Sequence, residues 1–294
     1  MRTFILGGTG LLGCALSTRF RDEGCRVTTA ARHGADLCVD ARDADALARV
    51  VGDERPDVLI NAAADVDLAH CERDPAGAFA VNARPSEVLA PLCERIGCRY
   101  VYVSTDHFYT GHGDARHAED APVTIVNEYA RTKRAGEELA LAAAGALVVR
   151  TNIVGFRAIP GPTTFVEWAI DSMRRRAPVT LFDDYFTSSI DIYSFAGLLW
   201  RLIALRPSGI VNLAGGDVST KKAFVEALAS AFWLDCRNAS AGSVRSIDGV
   251  RRAESCGLDC ARAERMLGTA MPGLGDVVGV LARHAPAGLS GGGT

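Results

Sequence analysis

Tyr129 and Lys133 stand at i and i+4 in the stretch Asn127-Glu128-Tyr129-Ala130-Arg131-Thr132-Lys133. If that stretch is helical, both side chains lie on one face. A phenol keeps its proton to about pH 10. An ammonium beside it stabilises the phenolate and makes the group a usable acid or base near neutrality. The same spacing also suits an ordinary surface pair packed on a helix. A second candidate is Ser104-Thr105-Asp106, which closes the apolar run Arg99–Val103 with two hydroxyls and a carboxyl. Ligands of α/β sheets sit beyond the carboxyl ends of strands, so polar groups there are placed for chemistry. A third is Gly7-x-x-Gly10-x-x-Gly13. Such a loop turns tightly, lets backbone approach a pyrophosphate at a helix N-terminus, and allows close helix–strand packing.

These groups need a frame of alternating strands and helices. Thr3–Leu6 reads as a buried strand, Leu11–Arg21 as an apolar-periodic helix, and Cys25–Ala31 as a second strand. The glycine loop between strand and helix therefore has the context that supports dinucleotide binding, with Thr9, Leu11 and Leu12 alongside the glycines. An acid commonly ends the second strand to hold the adenosine ribose. Ala31 and then Arg32 stand there instead, which favours a 2′-phosphate and so NADP(H), with NAD(H) second. Asp36–Asp40 reads as a short third strand. Asp40 and Asp43 either flank the adenine or cap the helix Ala44–Val51.

Asp57–Ala64 reads as the fourth strand, and the small residues Ala62, Ala63 and Ala64 leave room for cofactor over its tip. Asp74-Pro75 starts a helix to about Asn82, bending near Pro85 and continuing to Ile96. A polar loop follows the fifth strand from His107 to Val126, and Asn127 is placed to cap the helix carrying Tyr129 and Lys133. In the second half, helices are expected at Phe165–Arg176, Ile190–Leu205, Ser219–Phe232 and Asp259–Leu267, the last two opened by Ser219 and Asp259 as caps. Gly209–Leu213 reads as a further parallel strand.

Composition bounds the partners. The chain has 294 residues, 48% hydrophobic and 23% charged, with a formal net charge of -3. That balance gives no electrostatic footprint for nucleic acid or a membrane surface, and no apolar run has the length of a membrane span. The nine cysteines form no CxxC pair. They read as reduced thiols of a cytoplasmic protein without a metal site.

Taken together and in this order, the glycine loop, Ser104-Thr105-Asp106 and Tyr129-x-x-x-Lys133 resemble the extended short-chain dehydrogenase/reductase superfamily. Asn61-Ala-Ala-Ala64, Val81-Asn82-Ala83, Val149-Arg150-Thr151, Asp183-Asp184 and Leu258-Asp259 look most like its dTDP-4-dehydrorhamnose reductase branch. That resemblance implies an α/β fold, a doubly wound parallel Rossmann sheet with a small C-terminal substrate-binding lobe. Residues 1–150 and 188–214 would form the cofactor part, 151–187 and 215–285 the lobe, and 286–294 a disordered tail.

The resemblance further implies that Tyr129 is the proton donor, that Lys133 tunes it and holds the nicotinamide ribose, and that Thr105 orients the substrate oxygen. Ser104 would lie against the cofactor. Asp106, Asn152, Ile153 and Arg251 would face the substrate. The implied activity is NADPH-dependent reduction of a keto group on a nucleoside-diphosphate-linked sugar by a homodimer. The same fold also serves epimerases and dehydratases holding NAD tightly, and a non-catalytic regulatory subunit. This chain departs from the branch at His107-Phe-Tyr-Thr110, at Ile153 where a tryptophan is usual, and at Ser189 and Ala253 where prolines are usual. Arg174-Arg175-Arg176 either faces a pyrophosphate or complements a helix dipole.

Overall fold

Short buried apolar runs separated by amphipathic helices can satisfy their backbone only in a parallel sheet covered on both faces. The computed structural model, which describes residues 1–289, has that form. Its central parallel sheet contains β1 (Arg2–Leu6), β2 (Arg26–Ala31), β3 (Leu37–Cys38), β4 (Val58–Asn61), β5 (Arg99–Val103), β7 (Leu147–Arg150) and β12 (Gly209–Asn212). The spatial order is β12-β7-β5-β4-β1-β2-β3, so the winding reverses between β1 and β4. A smaller sheet holds β13 (Ser219–Thr220), β10 (Phe186–Thr187), β15 (Ser255–Leu258) and β6 (Arg116–His117), in that order. Two short pairs complete the strands: β8 (Ile153–Val154) with β11 (Ile190–Asp191), and β9 (Val179–Phe182) with β14 (Ala239–Gly242).

On one face of the central sheet, α1 (Leu11–Asp22), α8 (Ile192–Ala204) and α10 (Ala261–Leu267) bury Leu16, Phe20, Leu199 and Leu202 against Ile5, Ile60 and Val149. The other face carries α2 (Ala44–Glu54), α5 (Arg84–Ile96) and α6 (Glu128–Leu141), with Leu47, Leu89 and Ala140 against Phe4, Leu59 and Val148. Between β4 and α5 lie α3 (Leu68–Arg73) and α4 (Pro75–Asn82). A third apolar cluster joins α7 (Phe165–Arg174), α9 (Lys221–Ala231) and α11 (Leu274–Arg283) through Ile170, Phe224, Leu228 and Leu281.

Several local expectations shift. β4 stops at Asn61, because its side chain turns back to accept from the Ala63 amide at 3.2 Å and starts a loop. The helix expected across 75–96 is two helices broken at Ala83, with Pro85 in the first turn of the second. Thr220, not Ser219, caps α9, accepting from the Ala223 amide at 3.0 Å. Asp259 lies one residue ahead of the α10 cap position, which Cys260 occupies, and accepts from the Ala261 amide at 2.9 Å. Two residues of the arginine run are engaged within the protein. Arg174 donates to the carbonyls of Gly288 and Leu289 at 2.6 and 2.7 Å, and Arg175 pairs with Asp171 at 2.9 Å. Part of the tail read as disordered, residues 290–294, lies outside the described residues.

Candidate active site

The winding reversal brings four strand ends together: Leu6 pairs with Ala30 and Asn61, and Asn61 with Tyr102. A crevice for a dinucleotide opens at such a point. Gly7 leaves β1 at φ +83°, a conformation that favours glycine. A side chain on Gly13 would stand 2.1 Å from the Gly7 carbonyl oxygen, so helix and loop meet at backbone distance. Gly10 is the α1 N-cap and has no side-chain cap, and the first turn carries no acid. The amide ends of Leu11 and Leu12 are therefore left to an anion. Ala62 and Ala63 lie against the loop, with Ala63 N at 2.7 Å from where a Gly7 side chain would be, and Ala64 follows them beyond the end of β4. Gly34 packs near Thr9, which sets the segment following β2 beside the glycine loop.

At the adenosine end, Arg32 is exposed and its charge reaches Asp40. Asp40 is held by Arg42, at 2.6 Å in the ion pair, and this grip lowers its carboxyl pKa. Asp43 takes the capping role, accepting from the Ala46 amide at 2.9 Å. Asp40 is thus committed to an arginine, and Arg32 is the cation left facing outwards.

The chemistry-bearing groups meet beyond β5. Asn127 caps α6 by accepting from the Ala130 amide at 2.8 Å, which sets the first turn carrying Tyr129. Lys133, one turn on, is buried; its Nζ donates to the Val103 carbonyl at 2.8 Å and stands 4.1 Å from the Tyr102 ring centre. Burial pushes its pKa down to about 7, against a smaller upward pull from Glu137. Burial likewise holds the Tyr129 phenol above its ordinary value, and a hydrogen bond with the Thr105 side chain draws it down. Tyr129 keeps part of its surface open, so solvent softens that upward push. The sequence assigned the downward pull to Lys133. In the structure the ammonium bonds the Val103 carbonyl and lies over the Tyr102 ring, and the neighbouring Thr105 side chain also draws the phenol down.

Next to Thr105, Asp106 accepts from Asn152 Nδ2 at 2.8 Å. Asn152 in turn accepts from Ser189 Oγ at 2.8 Å, and Ser189 shares a 3.1 Å hydrogen bond with Thr187. Ser189 thereby fixes the amide that faces Asp106. Burial raises the Asp106 carboxyl to about 7, opposed by the charge of Lys221 and the Asn152 hydrogen bond. Ile153 sits in β8, half-buried against the first core cluster.

His107 is the main group missed from sequence. Its Nε2 meets Asn127 Nδ2 at 2.9 Å and the Ala253 amide at 3.3 Å, and its ring packs edge-on to Tyr129 at 5.8 Å. Two donors converging on one ring nitrogen require that nitrogen to be an acceptor, so the imidazole is neutral with its proton on Nδ1. Burial accordingly lowers its pKa to about 4. Arg251 lines the wall of a cavity of about 590 Å³ with Arg252, Arg245, Thr110 and Glu254. Its carbonyl accepts from Asn127 Nδ2 at 2.8 Å, which ties that wall to the head of α6. Thr105, Asp106, Tyr129 and Asn152 therefore converge, Lys133 stands behind them, and Arg251 belongs to the neighbouring cavity.

The residues fit a nicotinamide dinucleotide. The glycine cradle admits backbone only, and Ser104 Oγ is buried with no hydrogen-bond partner among the described residues. Such an orphan is rare unless something else satisfies it.

A family model described as the RmlD substrate binding domain matches residues 1–278. The chain is 26% identical to the probable low-salt glycan biosynthesis reductase Agl14 of Haloferax volcanii, over 96% of this chain and 97% of that protein. It is 32% identical to a dTDP-4-dehydrorhamnose reductase of Shigella flexneri, over 75% and 74% of the two chains. The fold superimposes on the dTDP-4-dehydrorhamnose reductase of Bacillus anthracis in complex with NADP with a TM-score of 0.85, at 20% identity. That match covers 95% of this chain and 98% of the other.

Proposed function

Because the chain belongs to the RmlD substrate binding domain family, we propose that it is an NADPH-dependent reductase of a keto group on a nucleoside-diphosphate-linked deoxy sugar. The observation that carries this reading is the meeting of Thr105, Asp106, Tyr129 and Asn152 beyond β5, two strands from the glycine loop that follows β1, at the strand ends where a nicotinamide would lie. Bound NADPH supplies the hydride. Tyr129 donates the proton that the substrate oxygen needs, and Thr105 hydrogen-bonds that oxygen and the phenol. Lys133 holds the nicotinamide ribose. Asp106 and Asn152 hold the sugar, Ile153 packs beside it, and Arg251 pairs with the diphosphate. Gly7, Thr9, Gly10, Leu11, Leu12 and Gly13 cradle the cofactor pyrophosphate, and Ala62, Ala63, Ala64 and Ser104 line its path.

Arg32 favours NADP(H), with NAD(H) as second choice. The relatives named as reductases support net reduction rather than epimerisation or a regulatory role. A cytoplasmic homodimer acting on a small molecule completes the reading; no helix among the described residues is long and apolar enough to cross a membrane.

The test is NADPH oxidation against a panel of nucleoside-diphosphate 4-keto-6-deoxy sugars, wild type beside Tyr129→Phe. Consumption by wild type that drops about 100-fold or more in the variant, with NADPH affinity unchanged, is the expected result. Binding of NADPH without consumption of any panel member would overturn it.

A further inference from the structure

Lys221 is an unusual place for a cation. It is the first residue of α9, where the positive end of the helix dipole disfavours an ammonium. Its neighbour Lys222 behaves as a surface lysine, pairing with Glu226 one turn on at 2.6 Å. Lys221 does not. Its Nζ lies 4.9 Å from the Phe165 ring centre and 5.5 Å from that of Tyr185. Among the described residues it has neither a hydrogen-bond acceptor nor an ion-pair partner within contact distance. Burial lowers its pKa, and the Asp106 charge opposes that.

Tyr185 shows the same pattern. It is half-buried, and among the described residues its hydroxyl has no hydrogen-bond partner, so that bond is left to solvent or to a ligand. Backbone pairing sets the two side by side: the Lys221 amide donates to the Tyr185 carbonyl at 2.9 Å, at the end of the antiparallel pair β10–β13. Glu254 enters β15 at the same end, its carbonyl accepting from the Phe186 amide at 2.8 Å. This edge of the small sheet adjoins the proposed site: Thr187 of β10 bonds Ser189, which bonds Asn152, which donates to Asp106. Lys221 acts electrostatically on Asp106 and His107, and Tyr185 is influenced by Asp106, Arg252 and Tyr129.

We propose that Lys221 and Tyr185 form a two-donor clamp that reads an oxygen substituent on the sugar ring next to the reacting carbonyl. This rests on the proposed reductase reading and names what that site selects: a keto sugar with a hydroxyl vicinal to the ketone. Two donors that meet no protein acceptor, and the aromatic faces around them, are all used by that occupant. The ammonium gains an acceptor, the phenol gains a partner, and the aromatic faces flank a ring whose C–H surface packs against them. A site built to hydrogen-bond a hydroxyl discriminates strongly against an analogue that lacks it. The bland account is that Lys221 only neutralises Asp106.

The experiment pairs binding and turnover. Calorimetry measures the affinity of wild type, Lys221→Met and Tyr185→Phe, each loaded with NADP, for a nucleoside-diphosphate sugar with the vicinal hydroxyl and for its deoxy analogue. The clamp predicts a loss of about 10- to 100-fold for Lys221→Met on the hydroxyl sugar, a smaller loss for Tyr185→Phe, and little change for either on the deoxy sugar. In turnover the change falls mainly on KM. Equal losses on both sugars, or a Lys221→Met effect that vanishes in an Asp106→Asn background, would overturn the clamp and leave charge neutralisation. Because binding is read without chemistry, a failed reductase reading shows separately, as binding without NADPH consumption. Wild type that binds neither sugar also sinks the clamp.

Discussion

Arg150 grips Glu137 through two parallel contacts of 2.8 Å, Nε to one carboxylate oxygen and an NH2 nitrogen to the other, with both side chains buried. The guanidinium also donates to the Tyr109 hydroxyl at 2.8 Å. Glu137 lies one turn beyond Lys133 on α6, and Arg150 ends β7, so the pair locks the proposed acid's helix to the central sheet. Arg150→Met strips the buried carboxylate of its bidentate partner and leaves it only the part-exposed Arg134 at 3.1 Å, and chemical denaturation is expected to show a loss of about 3 kcal/mol. The double variant Glu137→Leu with Arg150→Met removes both charges and is expected to recover most of that. A double variant as unstable as the single one would mean that the pair matters for packing rather than charge.

Lys133 predicts the opposite sign. Its ammonium is held in a buried place that lowers its pKa to about 7, so the folded state disfavours the charge. Lys133→Met is expected to leave the melting temperature unchanged or a few degrees higher, while turnover falls about 100-fold. A melting temperature lowered together with turnover would show instead that the contacts to Val103 and Tyr102 stabilise the fold.

His107 and Asp106 make opposing contributions to stability against pH. Unfolded histidine binds its proton at about pH 6.5, but folded His107 only near 4. Its contribution is therefore complete above about 6.5 and is lost as pH falls towards 4. Asp106 is raised to about 7, so its contribution is complete below the unfolded carboxyl value and is lost as pH rises through 7. Denaturant melts at pH 4.5 and 7 separate them. Relative to wild type, His107→Gln removes the part that grows with pH, on the order of 3 kcal/mol across the window. Asp106→Asn removes the part that declines. Parallel curves for all three proteins would show that neither group titrates as its burial implies.

Arg32→Ala tests the cofactor choice. A charged hydrogen bond to a 2′-phosphate is worth about ten- to a hundredfold in affinity. The KM for NADPH should rise by that factor while that for NADH stays put. Equal changes for both cofactors would place Arg32 away from the phosphate.

What the sequence made legible was local. The glycine loop is a run of neighbours whose spacing has one geometric use, and Tyr129 with Lys133 is an i, i+4 pair that any helix brings to one face. The alternation of apolar runs and amphipathic helices likewise declared the doubly wound sheet. The missed contacts are long-range. His107 reaches Ala253 across 146 positions, and Asn127 reaches Arg251 across 124. Neither histidine nor asparagine carries a pattern that announces such a partner. Lys221 was hidden for a related reason. Beside Lys222 and ahead of an amphipathic helix it reads as a solvated face, and only the chain's return beside Tyr185 turns it inward.

Asn127 has one side chain and three contacts: its oxygen starts α6, and its nitrogen meets His107 Nε2 and holds the Arg251 carbonyl. The seat of the proposed proton donor and the wall of the neighbouring cavity therefore share a hinge pin. A chain drifting towards new substrates by reshaping the 251–253 loop cannot do so freely, since each displacement tugs on the turn that aims Tyr129. Selectivity at one end and reactivity at the other are bound to change in step.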